Sequence, residues 1–539
     1  MSNPEEKITM FCDRTLYVTG ERIMFSAFLQ GENNLELTGP SRVLYCELIT
    51  PGGEKIAGNK FIIENNSSYG SLVIPDALLT GYYYLRAYTK VMRNYGPDSY
   101  FYIRINIINP SRNEVQTGKN DNIIGKPSLN EPNLFRDEKT FRLILNKNKY
   151  LRRDTVRLSI DLSGINDFSE WRGMCLSVVP EYSFNEFDPE IPGDLFSGNT
   201  DYYPAETRGL SVTGKIKDNK NGKPIPGTPV NLSIIGKGKD FIPAQSDPEG
   251  RFFIYLPDYE GKRDLFISAA ADPGCDPEIL VDNDFCAVPF ELPSPLFKLT
   301  VKERECAYKI AVNFQLENHF RKAAKETVAV GPDTNNMFYG NPSEIIHVDD
   351  FIQLPTVEDY FNELPSSVKV RKHQGGKYFK IIGGQAELTE YKPLVMLDMV
   401  AVDDISKILA IAPTDISRIE LVKELYVKGD QTYGGIINFI SKKGNFAGID
   451  LPSSGIFINY RFFAPKEDFI LSSLPINEPD TRNTVFWDPQ LISNGKISGK
   501  VNFTTSDTPG KYIILLRELN AQGQICSAMA GFEVIRQIK

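Results

Sequence analysis

Apolar and polar residues alternate with a period of two along most of the chain, in short runs broken by Gly, Pro, Asn and Asp. That spacing puts successive side chains on opposite faces of a strand and predicts many short strands joined by turns. Strands are expected at 8–12, 22–29, 42–50, 60–63, 70–74, 81–89 and 100–108, a first β-sandwich over residues 1–110. Residues 111–139 are polar and Pro-rich and read as a linker. Strands at 141–145, 155–162 and 175–179 suggest a second sandwich over 140–207, with an aperiodic excursion from Glu181 to Thr207. Over 208–299, Leu210, Val212 and Ile216 share one strand face, as do Val230, Leu232 and Ile234. The turns Gly222 to Gly227 and Ser246 to Gly250 frame a third sandwich. The strand-like runs 455–463, 483–489, 496–504, 510–518 and 525–534 give a last one over 451–539. The expected class is mainly β, a string of sandwiches with one small α/β domain.

That α/β domain, placed at 300–450 with preceding helices, centres on 392–445. Residues 394–397 form a short apolar run bounded like a buried strand. Asp403 and Asp404 stand where a helix N-terminus favours acids, Ile405, Ile408 and Leu409 recur at helical spacing, and Pro413 follows. Ile419 and Leu421 alternate as a second strand, and 436–440 gives a third. Upstream, 300–325 fits either a strand face or a helix face, with the charged flank Lys302 to Glu305 favouring helix. Thr356, with Asp359 three positions on, predicts a capping box and a helix stopped by Pro365. Strands at 368–370 and 378–382 follow.

The order PLVMLD, ISKILAIAPTDISRIELVK, YGGIINFISKKG resembles the plug domain of TonB-dependent outer-membrane receptors. Asp398-Met399 stands where such plugs carry Asp-Gly, and the segment around Tyr433-Gly434 is shortened. The residues after Gly444 are too few for the strands of a membrane barrel, so a plug without a barrel is expected. Residues 13–21, DRTLYVTGE, and 81–89, GYYYLRAYT, resemble a macroglobulin-type domain. GKIKDNKNGKPIPGTPVNL and SDPEGRFFIYLP resemble the carboxypeptidase regulatory-like domain. RNTVFWDP at 482–489 and FTTSD at 503–507 resemble the closing domain of exported Gram-negative proteins that combine these modules. The resemblance implies macroglobulin-like and Ig-like sandwiches plus the plug-like domain. It further implies an exported protein, periplasmic or outer-membrane-associated, whose partner is an outer-membrane barrel or receptor complex. Asp398, Met399, Tyr433 and Gly434 are then the candidate partner contacts.

Composition narrows the chemistry. Sixty Lys and Arg against 69 Asp and Glu give a net charge of −9, and no basic stripe suggests nucleic acid. The basic runs Lys369 to His373 and Lys442-Lys443 read as solvated strand ends. Seven scattered cysteines without a CxxC pair suggest free thiols rather than zinc or a disulfide framework. No apolar run is long enough for a membrane helix, and Met1-Ser2-Asn3-Pro4 is polar from the start, as expected of a chain whose export signal has been removed. His319, His347 and His373 lie in separate segments without a Ser or Cys motif. No P-loop, dinucleotide fingerprint or thioester Cys-Gly-Glu-Gln run occurs. Asp247 and Glu249 read as turn residues rather than calcium ligands. No catalytic residue, cofactor or metal is expected. The alternative to a partner-docking protein is a glycan- or peptide-binding one, with Tyr82, Tyr83 and Trp487 as stacking contacts, although adjacent strand tyrosines more often pack. Asp13-Arg14 reads as a structural ion pair.

Overall fold

A computed structural model describes residues 5–32, 36–117, 142–161, 171–185, 202–236, 239–270, 274–288, 290–321, 337–363, 367–373, 376–382, 386–469, 478–493, 496–497, 499–520 and 522–536. The chain forms two compact units. The first combines Met1–Gly209, Phe285–Thr327 and Phe463–Lys539, and the second Leu210–Asp284 and Val328–Phe462.

In the first unit, residues 6–108 form the expected sandwich. One sheet orders Glu6–Cys12, Arg22–Gly31 and Ser67–Val73. The other orders Leu16–Val18, Phe101–Ile108, Gly81–Tyr88, Val43–Ile49 and Lys55–Ile62. Every residue of Val43–Ile49 and of Gly81–Tyr88 is buried, because both faces of that second sheet are covered. A sheet buried on two sides has no solvent rim, which is why these strands read as nearly continuous apolar and aromatic runs.

A second sandwich of the same unit differs from the expected boundaries. One sheet orders Lys149–Tyr150, Ile525–Val534, Gly510–Asn520, Trp171–Pro180 and Phe486–Asp488, and the other Lys500–Thr504, Thr155–Asp161 and Arg142–Leu145. The stretches assigned to separate sandwiches at 140–207 and 451–539 therefore build one. Thr155 stands opposite Thr504 and Cys175 opposite Arg517, and Val156, Leu176, Phe503, Ile514 and Phe532 share one core. Neither half has enough strands to bury its own apolar face, so each completes the other. Of the expected linker, Val115 bridges Thr80, and residues 118–139 lie outside the described residues.

Helix α1, Val301–Arg321, also belongs to this unit rather than to the α/β domain. Thr300 and Glu303 cap it reciprocally at 2.8 and 3.2 Å, and Cys306, Ala307 and Ile310 pack on Leu16 and Val18.

The second unit starts with a sandwich of Ser211–Asp218 between Arg251–Tyr255 and Pro277–Val281, facing the sheet Asp240–Gln245, Pro229–Ile235, Lys262–Ala269, Ile456–Arg461. The last strand, expected in the C-terminal sandwich, instead closes this sheet's edge against Lys262–Ala269. Asp247 accepts the backbone N–H groups of Glu249 and Arg251, an Asx turn.

The α/β part follows the expected elements. Its sheet orders Glu344–His347, Ile416–Val422, Ile436–Ser441, Leu394–Leu397 and Val400–Ala401, with Leu394–Leu397 parallel to Ile436–Ser441 and the other pairs antiparallel. One face buries Leu397, Ile419, Leu421 and Phe439 beneath α2 (Val357–Glu363), α3 (Ile405–Leu409) and the hairpin Val368–His373/Gly376–Ile381. Thr356 and Asp359 form the predicted capping box, at 2.7 to 3.2 Å, and Asp404 caps α3 through Ser406 N–H at 3.0 Å. The other face, Leu394, Met396 and Ile436, packs on Phe241 of the adjoining sandwich together with Phe338, Tyr339, Tyr426 and Tyr433.

Candidate functional site

Two of the deeply buried acidic-basic pairs of the first unit are built into hydrogen-bond networks. Asp13, Arg14 and Glu21 are all within 5 % of full burial. The Arg14 guanidinium donates to both Glu21 oxygens at 2.7 and 3.1 Å, to Leu16 carbonyl at 2.7 Å and through Nε to Thr484 Oγ1 at 3.2 Å. Its plane lies 4.2 Å over the Tyr17 ring. Thr484 in turn donates to Asp13, whose other oxygen accepts from Tyr17 OH at 2.7 Å and Met24 N–H at 3.0 Å. Burial holds the Asp13 carboxyl above its ordinary value, partly offset by the charge of Arg14. For Arg14 burial acts to lower the pKa, and the carboxylates of Glu21 and Asp13 outweigh it, so its charge is locked on.

The network extends along the seam between the two sandwiches and α1. Asn483 donates to Glu21 at 2.7 Å and to the Ile310 carbonyl at 3.1 Å, and accepts from Asn313 at 3.0 Å. Thr481 donates to the Asn313 carbonyl at 3.0 Å, and Arg482 clasps Asp480 at 2.6 and 2.7 Å. The motifs DRTLYVTGE and RNTVFWDP thus meet across more than 450 residues of chain. Sequence reading flagged Asp13-Arg14 as an ion pair and placed Glu21, Asn483 and Thr484 within two motifs, but nothing local marked these residues, or Asn313, as members of one network. Chemically the seam is a set of saturated hydrogen bonds that joins elements.

A second buried pair, Glu47 and Arg86 at 2.6 Å, sits on the outer face of the fully covered sheet. Tyr88 OH donates to Glu47 at 3.0 Å and accepts Cys286 N–H at 2.7 Å, while Arg86 reaches Cys286 carbonyl at 3.1 Å. The segment 285–298 is the cover.

The aromatic contacts proposed from the sequence are packed rather than presented. Tyr82 packs against Phe297 with the rings tilted and 4.9 Å apart, Tyr83 donates to Leu79 carbonyl at 2.8 Å, and Tyr84 donates to Pro293 carbonyl. Packing, the reading that adjacent strand tyrosines favour, is what the structure shows: Phe297 and Pro293 occupy the face that Tyr82 shares with Tyr84, and Tyr83, on the opposite face, is 3% exposed, so neither offers a sugar platform. Trp487 is 2 % exposed among Phe11, Phe28, Cys175 and Leu519, so it too is corrected to a core residue.

The expected plug-like contacts are also spent internally. Asp398 and Met399, at φ +48° and +74°, are the two central residues of a hairpin turn in which Leu397 pairs with Val400, the I′ geometry that favours Asp-Gly. Asp398 accepts from Ser441 N–H and Oγ at 2.8 and 2.6 Å and from Phe446 N–H at 2.9 Å. Met399 tolerates the left-handed backbone because its side chain is buried and its carbonyl accepts from Ser233 at 2.9 Å. Tyr433 faces Phe241 at 6.4 Å, and burial and then the Asp403 charge push its phenol up to about 12. At Gly434 a Cβ would come within 2.3 Å of the Tyr391 carbonyl. The structure brings Met399 and Tyr433 into the face buried against the sandwich, not to a free surface.

Among the described residues no group of three or more His, Cys, Asp and Glu could hold a metal ion, none of the seven cysteines is in a disulfide, and no helix is long and apolar enough to cross a membrane.

No protein-family model matches the chain, and no curated protein does. Similar solved structures include alpha-2-macroglobulin of Salmonella reacted with methylamine, at 11% identity over 99% of this chain and 23% of that one, with a TM-score of 0.17. Alpha-2-macroglobulin of Escherichia coli activated by porcine elastase gives 9% identity over 99% and 44%, TM-score 0.23. Dimeric latent PorU of Porphyromonas gingivalis gives 9% over 52% and 34%, TM-score 0.17. The chain spans less than half the length of each of these proteins. A likeness of that size carries nothing about activity or partners, and the mainly β string of sandwiches rests on the strand pairings themselves.

Proposed function

We propose that this chain is a non-enzymatic interaction or scaffold protein of a Gram-negative envelope, docking on an outer-membrane protein through its plug-like α/β domain and sandwiches. The observation that carries the reading is the use of three buried ion pairs. Arg14 with Glu21, Arg86 with Glu47 and Arg482 with Asp480 bind each other and backbone carbonyls, so they hold elements together rather than face a reacting centre. The resemblance of residues 392–445 to a lumen-filling plug and of 208–299 to a regulatory-like domain supports the envelope setting. A glycan-binding alternative is weaker, since Tyr82, Tyr83 and Trp487 are packed.

The test is envelope fractionation followed by in-cell cross-linking and mass spectrometry. Recovery with the envelope and a reproducible outer-membrane protein partner support the proposal, and a chain that fractionates away from the envelope without such a partner retires it.

A further inference from the structure

The partner face of the second unit has to lie elsewhere than at Asp398, Met399, Tyr433 and Gly434, and one of its sheets stands out by charge. In the hairpin Val368–His373/Gly376–Ile381, Val368, Val370, Phe379 and Ile381 face the apolar core. Alternation places Lys369, Arg371, Tyr378 and Lys380 on the outer face. Lys369 is directly opposite Lys380, and Arg371 opposite Tyr378, which is 40% exposed. Like charges directly across a strand pair are destabilising. An acidic neighbour would remove that cost, yet the outer positions of the hairpin include no Asp or Glu, in a chain whose net charge is −9. Glu358 of α2 pairs with Lys377, on the opposite, inward side. None of Lys369, Arg371 and Lys380 has an ion-pair partner among the described residues.

We propose that this outer face binds an extended acidic segment of a partner protein, with carboxylates at alternate positions. Alternate residues of an extended chain repeat about every 7 Å, the same interval that separates Lys369 from Arg371, and Arg371 offers a planar fork for one carboxylate while Tyr378 receives an apolar side chain. One face of this two-stranded sheet is taken by the core, so a small anion would meet the other on one side only, whereas an extended polymer gathers several contacts. Three cations on so small a patch fall short of anchoring a chain to an anionic bilayer without a second signal. Lysines can also protect an exposed sheet from edge pairing, and that role predicts no ligand.

The inference rests on the interaction reading and narrows it. The full-length chain is titrated into a fluorescein-labelled peptide of about ten residues with glutamate at every second position, into its glutamine counterpart, and into vesicles of phosphatidylglycerol and phosphatidylcholine. Anisotropy is expected to give saturable binding of the glutamate peptide, at least tenfold weaker for the glutamine peptide and falling steeply with added salt. The triple variant K369E/R371E/K380E, checked for an unchanged melting profile, is expected to lose at least tenfold, and Lys443→Glu, an exposed cation of the same unit, to stay within twofold. Should the triple reversal melt early, K369Q/K380Q provides the same comparison. Absence of peptide binding, equal binding by the charge-reversed chain, or hairpin-dependent capture by vesicles in place of the peptide overturns the inference. A cross-linked envelope partner that survives the triple reversal overturns the hairpin assignment alone. Peptide binding with no envelope partner overturns the wider reading instead.

Discussion

The α/β domain of the second unit and the seam of the first are stabilised by opposite means. The domain buries a compact apolar core drawn largely from 346–439, with Phe361, Phe379 and Phe439 in mutual contact at 5.0 to 6.0 Å. The seam buries Asp13, Arg14, Glu21, Asp480, Arg482 and Asn483, contributed by segments more than 450 residues apart. An apolar core tolerates loss of contact in proportion to the volume removed. A buried charge network does not, because each member left without its partner keeps its full cost of desolvation. The first region is therefore robust and the second all-or-none, and substitutions in each should separate them.

The largest effect is expected at the seam. Arg14→Met leaves Asp13 and Glu21 buried without their cation and should destabilise the first unit by about 3–5 kcal/mol, read by denaturant unfolding. Replacing Asp13, Arg14 and Glu21 together with apolar residues of similar volume should recover part of that loss, because no charge is then left buried without its counter-charge, which a merely volumetric role would not permit. In the α/β domain, Leu397→Ala should cost about 2–5 kcal/mol by the cavity it opens, and leave proteolytic resistance of the first unit unchanged. Asp398→Ala removes the acceptor for Ser441 and Phe446 at the hairpin turn and should cost about 1–3 kcal/mol. Thr356→Ala, at the capping box of α2, should cost about 1 kcal/mol, measurable as increased amide exchange in 357–363.

A last test concerns slope rather than size. Burial raises the Glu518 carboxyl to about 8 from 4.5, and one of its oxygens has no partner among the described residues. With the folded value above the unfolded one, the unfolded state gives up its proton first. The contribution of this group to stability is thus greatest below pH 4.5, falls as pH rises, and levels off beyond about 8. Glu518→Gln should flatten that part of the profile.

How much of this was legible follows from the range of the interactions. The strands Leu394–Leu397 and Ile416–Val422, helix α3 and the Thr356 cap were readable because a strand period, a Pro and a capping pair are local signals. The first sandwich was readable for the same reason. The partnership of 142–180 with 486–534 was not, because alternation marks an apolar face without saying which strand will cover it. That Tyr82 and Tyr83 pack was legible from their adjacent strand positions, but what covers Tyr82 was not, since Phe297 lies far along the chain and leaves no mark on the strand it covers. Asp398-Met399 drew notice as a departure from Asp-Gly, yet only the backbone shows that the turn keeps its left-handed geometry with a buried methionine.

By itself the sequence determined most element types, the mainly β class and the net negative charge, all of which depend on composition or on neighbours a few residues apart. Tertiary structure alone decided which strands close which sandwich, that the two far motifs share one charge network, and that three cations of one hairpin stand together facing solvent. Those outcomes depend on contacts whose partners lie anywhere along 539 residues, and a pattern read along the chain holds no record of distance across it.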